Sequence, residues 1–548
     1  MKNTLLLFFA FSLSGECLFA RAPFNTMDSV NINNINASVL VHGDMFRNPS
    51  DQKQLCEFPK GSGKHLSLGG ALWMTGFDNG GDLHVAAQTY RQFGNDYWPG
   101  PLDNAGALTY AVSANWAKIW KVNETDIQYF QSLTTHNTTN TPNAILTWPG
   151  KGNVYAAGNG GVALSISNDM APFIDLNGNG IYEPLLGEYP AIKGDQALWQ
   201  VFSDNGPAHS ESNGRPFGVE IHSMAYAYNR GTLIDNVIYF DYRIINRSPN
   251  TYHNFRIGIW DDMDLGNPYD DYMGFDSTWR MGIVYNSSNY DTVYGNKIPV
   301  AGITMIVSPG DTGTSYIPAG SFTVYFNDFS LIGNPHGDSQ FNFYLRSRIR
   351  DGQYLYSYTT SSNHCKDHDS TRFYVVSGDP RDTTQCSECA FNNSPGDERF
   401  IITTNDFTLY PDSMQHMVMA LVTTSPDTLN ACPNASFDSI KIVADTAWTN
   451  YHHPPAPLRP NAIKNLTSGN DVNIYPNPAH NQVIIETTLA PTTEETITFY
   501  NIIGQKVNVN IARSGSKKVA DIGNLPNGIY MVIYNNGTIQ KTVKVIKE

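Results

Sequence analysis

FGVEIHSMAYAY (217–228), IDNVIYFDYRIIN (234–246) and HNFRIGIW (253–260) follow one another with Asn-Arg-Gly and Arg-Ser-Pro-Asn turns between them. Each stretch is rich in β-branched and aromatic residues and alternates with a period near two over part of its length, as strands do. The spacing predicts neighbouring strands of a β-sandwich. Further along, DERFIITTNDFTLYPDSMQHMVMALVTT (397–424) adds two strands around a Tyr-Pro-Asp turn. One helix is expected from residue 438, where Ile440, Val443, Ala444, Ala447, Trp448 and Tyr451 form a single apolar stripe that can pack on the sandwich.

Composition supports a mainly all-β chain. The 548 residues include 45 Gly, 31 Pro and 30 Tyr, and only 16% are charged, which suits short strands joined by turns. That length predicts more than one folding unit. A net charge of −15 and a pI near 5.3 exclude broad nucleic-acid binding, which needs clustered Lys and Arg. Cations suit this chain better than phosphates.

Residues 1–22 have the layout of a secretory signal peptide: one Lys, an apolar run from Leu5 to Leu13, then small residues. Residues 23–451 form the β-rich extracellular body, either as one unit or as two subdomains divided near 190–215. Residues 452–471, HHPPAPLRPNAIKNLTSGND, are poor in core residues and read as a linker. The last block, 472–548, alternates in short runs (QVIIETT, ETITFYN, QKVNVNIA, GIYMVIYN) and predicts a small antiparallel, Ig-like sandwich.

Those last residues resemble the C-terminal (type A) sorting domain of cargo for the type IX secretion system of the Bacteroidetes. The resemblance rests on YPNPA (475–479), YNIIGQKV (500–507), LPNGIYMVIYNNG (525–537) and the basic ending KTVKVIKE. It places Tyr475, Pro476, Asn477, Pro478, Gly504, Gly528 and Tyr530 in the sorting motif. It implies the secretion machinery as a partner and export across both membranes to the outer-membrane surface or the medium. Tail removal would follow, with release or attachment to surface lipopolysaccharide. The body resembles an uncharacterised class of exported Bacteroidetes proteins through FPKGSGKHLSLGGALWMTGFD, DLNGNGIYEPLLGEYP and PGDERFIITTNDFTLYPDSM, a resemblance that implies no activity.

Two acidic stretches carry the metal chemistry. In DLNGNGIYEPLLGEYP, Asp175, Asn177 and Asn179 alternate oxygen donors around Gly180, as in the first half of an EF-hand loop. Leu186 stands where that loop needs a bidentate Glu, so Glu183 or Glu188 and the Ile181 carbonyl are the expected remaining ligands. The loop is similar to the short calcium loops of thrombospondin type 3 repeats; the alternative is an Asx turn bonding its own backbone. In WDDMDLGNPYDDYMGFD (260–276), six carboxylates repel one another unless water or a cation screens them. Asp262, Asp264 and Asp271 are the expected Ca²⁺ ligands there.

With Cys17 removed, Cys56, Cys365, Cys386, Cys389 and Cys432 remain, an odd number. The spacing of Cys365, His368, Cys386 and Cys389 approaches a zinc ribbon, but an oxidising export route favours disulfides among Cys365, Cys386, Cys389 and Cys432 over Zn²⁺. No His-Glu-x-x-His or Gly-x-Ser-x-Gly motif is present. The expected function is calcium-stabilised binding, adhesion or scaffolding toward an unidentified glycan or protein. The alternative is a secreted hydrolase acting on glycans or peptides through the acidic stretches.

Overall fold

The computed structural model describes residues 24–91, 94–311, 316–355, 375–427, 430–435, 437–455, 472–487, 495–501, 505–514, 517–535 and 540–548. The expected signal peptide, nearly all of the linker, Gly504 and Cys365 lie outside them. The chain divides into two compact units, residues 1–457 and 458–548.

Two antiparallel sheets dominate the first unit. The nine-stranded sheet runs from Asp271–Asp276 through Met281–Asn286, Ala301–Val307, Met414–Thr423, Val237–Asn246, Val219–Ala227 and Gln196–Ser203 to Trp98–Pro99, with Trp120–Asn123 also on Gln196–Ser203. The six-stranded sheet runs from Ser321–Phe326 through Glu398–Thr403, Tyr252–Asp262 and Gly69–Phe77 to Leu83–Ala86, and Phe407–Leu409 joins Tyr252–Asp262. Their inner faces share one core, in which Ile238, Phe240 and Ile244 of the first sheet meet Leu72, Ile257, Phe322 and Ile402 of the second. This is the expected sandwich.

Why the alternation at 237–246 is only partial follows from the opposite face. Val237 and Tyr239 point away from the shared core into a second cluster, which includes Trp148, Trp199 and the helix residues Ile440, Val443, Ala444 and Ala447. Helix Phe437–His452 covers this face, and the Tyr239 hydroxyl donates to the Ala447 carbonyl at 2.8 Å. A strand buried on both sides reads as a nearly continuous apolar run. The outer face of the six-stranded sheet is sealed likewise, by Trp73 and Trp260 stacked 5.9 Å apart under Phe341 and Tyr344.

Two expectations need correction. Val219–Ala227 and Val237–Asn246 do pair in register, but Tyr252–Asp262 crosses to the other sheet and pairs with Gly69–Phe77 and Glu398–Thr403. No subdomain boundary lies at 190–215, because Gln196–Ser203 is an interior strand, pairing with Val219–Ala227 on one side and with Trp98–Pro99 and Trp120–Asn123 on the other. Turn-forming residues there mark loops between strands of one sheet.

The loop after Gln196–Ser203 contains a buried cation. His209 Nδ1 lies 2.7 Å from the Val85 carbonyl and Nε2 lies 2.6 Å from the Asp204 carbonyl. Two carbonyl partners require both ring nitrogens to carry protons, which makes the ring an imidazolium. Burial opposes that charge, but Asp96 and Asp204 overcome it and hold the pKa above the ordinary histidine value. A group whose folded pKa is raised contributes stability below its unfolded pKa, and that contribution is lost as pH rises through the folded value. Urea unfolding is therefore expected to show stability falling as pH rises above about 6.5. A neutral His209 ring at pH 6, seen by NMR, would contradict this.

Cys389 and Cys432 form a disulfide across 43 residues, fastening the segment before helix Phe437–His452 to helix Glu388–Phe391. Cys386 is also disulfide-bonded, and Cys56 is a buried free thiol. Replacing Cys389 and Cys432 by Ala is expected to cost about 2–4 kcal/mol in urea unfolding.

The second unit is a sandwich of two four-stranded sheets. One runs Val472–Tyr475, Gln482–Thr487, Lys517–Asp521, Asn510–Ser514, and the other Lys506–Val507, Thr496–Asn501, Gly528–Asn535, Gln540–Lys547. Val483, Ile485, Phe499, Val532, Tyr534 and Val545 fill the space between them. Asn477 locks the last strand, donating to the Lys544 carbonyl at 2.6 Å and accepting from Ile546 N at 2.9 Å. The Tyr530 hydroxyl donates to the Pro526 carbonyl at 2.8 Å. Pro476 and Pro478 directly follow strand Val472–Tyr475, where no ladder donor is required of them.

Candidate metal centre

Strand Tyr252–Asp262 ends in two acidic residues, and its neighbour Glu398–Thr403 begins just after Asp397. The register sets Asp261 opposite Phe400, so the end of one strand meets the start of the other. Oxygens of Asp262, Asp264 and Asp397 all lie within 4.8 Å of one another. Asp262 is fully buried and Asp264 is 2% exposed.

Part of this charge is answered by protein groups. Arg399 donates to Asp262 Oδ2 at 3.2 Å and to Asp397 Oδ1 at 2.5 Å, and its Nε and Nη2 reach the Tyr90 hydroxyl at 3.0 and 2.8 Å. The Tyr90 hydroxyl donates in turn to Asp262 Oδ2, and Gln54 Nε2 donates to Asp264 Oδ2 at 3.1 Å. Asp262 Oδ1 and Asp264 Oδ1 remain buried with no hydrogen-bond partner. Burial raises the Asp262 pKa to about 6 despite Arg399, and burial with the neighbouring Asp262 and Asp397 pushes Asp264 well above the carboxylate range. Two buried oxygens without partners, on two residues of one carboxylate cluster, cost free energy unless a cation meets them. An all-oxygen donor set of carboxylates suits Ca²⁺. Gln54 also lines an open cleft of about 710 Å³ with His65 and Leu68.

Asp271 stands outside this triad. Its Oδ2 accepts from Leu265 N at 2.9 Å, and Asp291 accepts from Asn267 N at 3.0 Å, so both brace the loop that carries Asp264. Gly266 between them adopts φ +77°, and a Cβ there would fall 2.6 Å from Asp291 Oδ1. Asp397, Arg399, Tyr90 and Gln54 were not singled out from sequence as ligands or partners. The charged run Asp397-Glu398-Arg399 opening a buried strand was the available signal.

The 175–190 loop has a different character. Asp175 accepts from Gly178 N and Gly180 N, each at 2.7 Å, and these backbone donors hold its carboxyl below the usual range. The Asn177 and Asn179 side-chain oxygens accept from Asn179 N and Ile181 N, while their amide nitrogens converge on Glu183 Oε2 at 2.9 and 2.6 Å. Glu188 is fully buried and accepts from Leu176 N and Glu183 N. These side chains close the loop on itself, in the Asx-turn manner.

Residues 473–548 match the family described as the secretion system C-terminal sorting domain. No curated protein matches the chain. Among solved structures, a polysaccharide lyase aligns with 60% of this chain and 34% of its own, at 8% identity and a TM-score of 0.17. The chain thus spans about a third of that structure's length. No described helix is long and apolar enough to cross a membrane. The match over 473–548 identifies the chain as cargo of the type IX secretion machinery, exported by it to the cell surface or beyond.

Proposed function

We propose that this exported protein acts by binding or scaffolding at the cell surface, and that Ca²⁺ held by Asp262, Asp264 and Asp397 stabilises its sandwich body. One observation carries the metal reading: two of the three clustered acids, Asp262 and Asp264, each carry a buried carboxylate oxygen with no hydrogen-bond partner. The 175–190 loop is a secondary candidate, since rotating the Asn177 and Asn179 amides would turn their oxygens toward a cation beside Glu183. Cleavage of the sorting tail would leave the body free or attached to surface lipopolysaccharide, where it meets a glycan or protein ligand. Zn²⁺ is disfavoured at the triad, which offers neither thiolate nor imidazole. The hydrolase alternative is separated by a screen of polysaccharides and proteins with Asp264→Asn as control. Binding without turnover is expected. Turnover that disappears in the variant would contradict the proposal.

A further inference from the structure

The helix-bearing face of the nine-stranded sheet changes character along its strands. Tyr226 and Tyr239 stack with centroids 4.7 Å apart. One step along the same face come Trp199, Met224 and Asp241, which are cross-strand partners, and one step further His222, Arg243 and His416 form a polar row. Trp199, Met224, Asp241, His222 and Arg243 border a cavity of about 250 Å³, lined otherwise by Met170, Pro172, Ala191 and Lys193.

Inside it the acceptors are already satisfied. Asp241 accepts from His416 Nε2 at 2.9 Å and from Lys193 Nζ at 2.6 Å. Glu220, the next residue along on that face, accepts from His222 Nε2 at 2.9 Å, from Arg247 at 2.8 Å and from Leu102 N at 2.9 Å. Arg243 differs: among the described residues its guanidinium enters no hydrogen bond or ion pair, and it stands exposed at the cavity rim. Lys193, Arg243 and Arg247 outnumber Asp241 and Glu220 by one positive charge before either histidine is counted, in a chain of net charge −15.

We propose that this cavity binds an acidic sugar of monosaccharide size, with its carboxylate on Arg243. A free guanidinium presents the planar fork that a carboxylate fills. Met170, Pro172, Met224 and Trp199 offer an apolar wall for the C–H face of a ring, and the Lys193 ammonium, which gives one N–H to Asp241, keeps further donors for hydroxyls. The inference rests on the binding reading above but uses no residue of the aspartate triad. Either can therefore fail while the other stands.

The test is calorimetric titration of the full chain with D-glucuronate at fixed calcium, with glucose and N-acetylalanine as comparators. Glucuronate is expected to bind at millimolar concentration or below. Glucose, which lacks the carboxylate, should bind at least about tenfold more weakly, as should glucuronate to Arg243→Gln. Ala191→Leu, which fills the cavity and leaves Arg243 intact, should abolish binding. Unaltered glucuronate affinity in both variants, or no binding to the parent chain, would overturn the site. N-acetylalanine binding as tightly as glucuronate would overturn the sugar assignment.

Discussion

Chelating calcium from the full chain is expected to lower the unfolding midpoint of its first unit by about 4–8 °C, with no change in the sorting domain. A ligand present at about a thousandfold over its Kd stabilises by about 4 kcal/mol. In a unit of this size each kcal/mol moves the midpoint by roughly 1–2 °C, scaled from smaller domains. The physical source is the aspartate cluster. Without a divalent ion, Arg399 bonds Asp262 and Asp397 but not Asp264, and Asp262 Oδ1 and Asp264 Oδ1 have no hydrogen-bond partner. The sorting domain holds its own core, and the aspartate cluster belongs to the first unit. Differential scanning calorimetry with calcium and with chelator reads both transitions. A first-unit midpoint indifferent to chelation would count against calcium.

The Asp264→Asn variant should change the sign of its effect with calcium. In calcium it loses a charged ligand, so affinity falls at least about tenfold and most of the 4 kcal/mol increment goes with it. In chelator the amide relieves repulsion from Asp262 and Asp397, the neighbours that, after burial itself, push the Asp264 pKa upward. The variant is then expected to match or exceed the parent chain in stability. An ordinary core defect would destabilise equally in both conditions. Asp271→Asn offers a contrast, because Asp271 braces Leu265 N outside the triad and should show no such reversal.

The sandwich and the sorting domain were legible because strand residues alternate and turns are punctuated by Gly, Pro and Asn. What the pattern could not supply was sheet membership. Tyr252–Asp262 and Val237–Asn246 are both buried on two faces, so a same-sheet hairpin and a sheet-crossing turn look alike in sequence. The density of acids at 260–276 pointed to Asp262 and Asp264. Their third partner, Asp397, comes from a strand brought alongside by tertiary pairing alone. Asp271 and Glu188, also expected as ligands, are carboxylates that accept backbone N–H groups and hold loops. Sequence spacing does not separate such a brace from a ligand.

The most direct measurement is the intact mass of the purified full chain under native conditions in calcium, compared with its denatured mass. The account predicts at least one retained calcium that is lost on denaturation and is diminished in an Asp262→Asn, Asp264→Asn double variant that remains folded. Identical native and denatured masses, or a calcium increment untouched by the double variant, would contradict it.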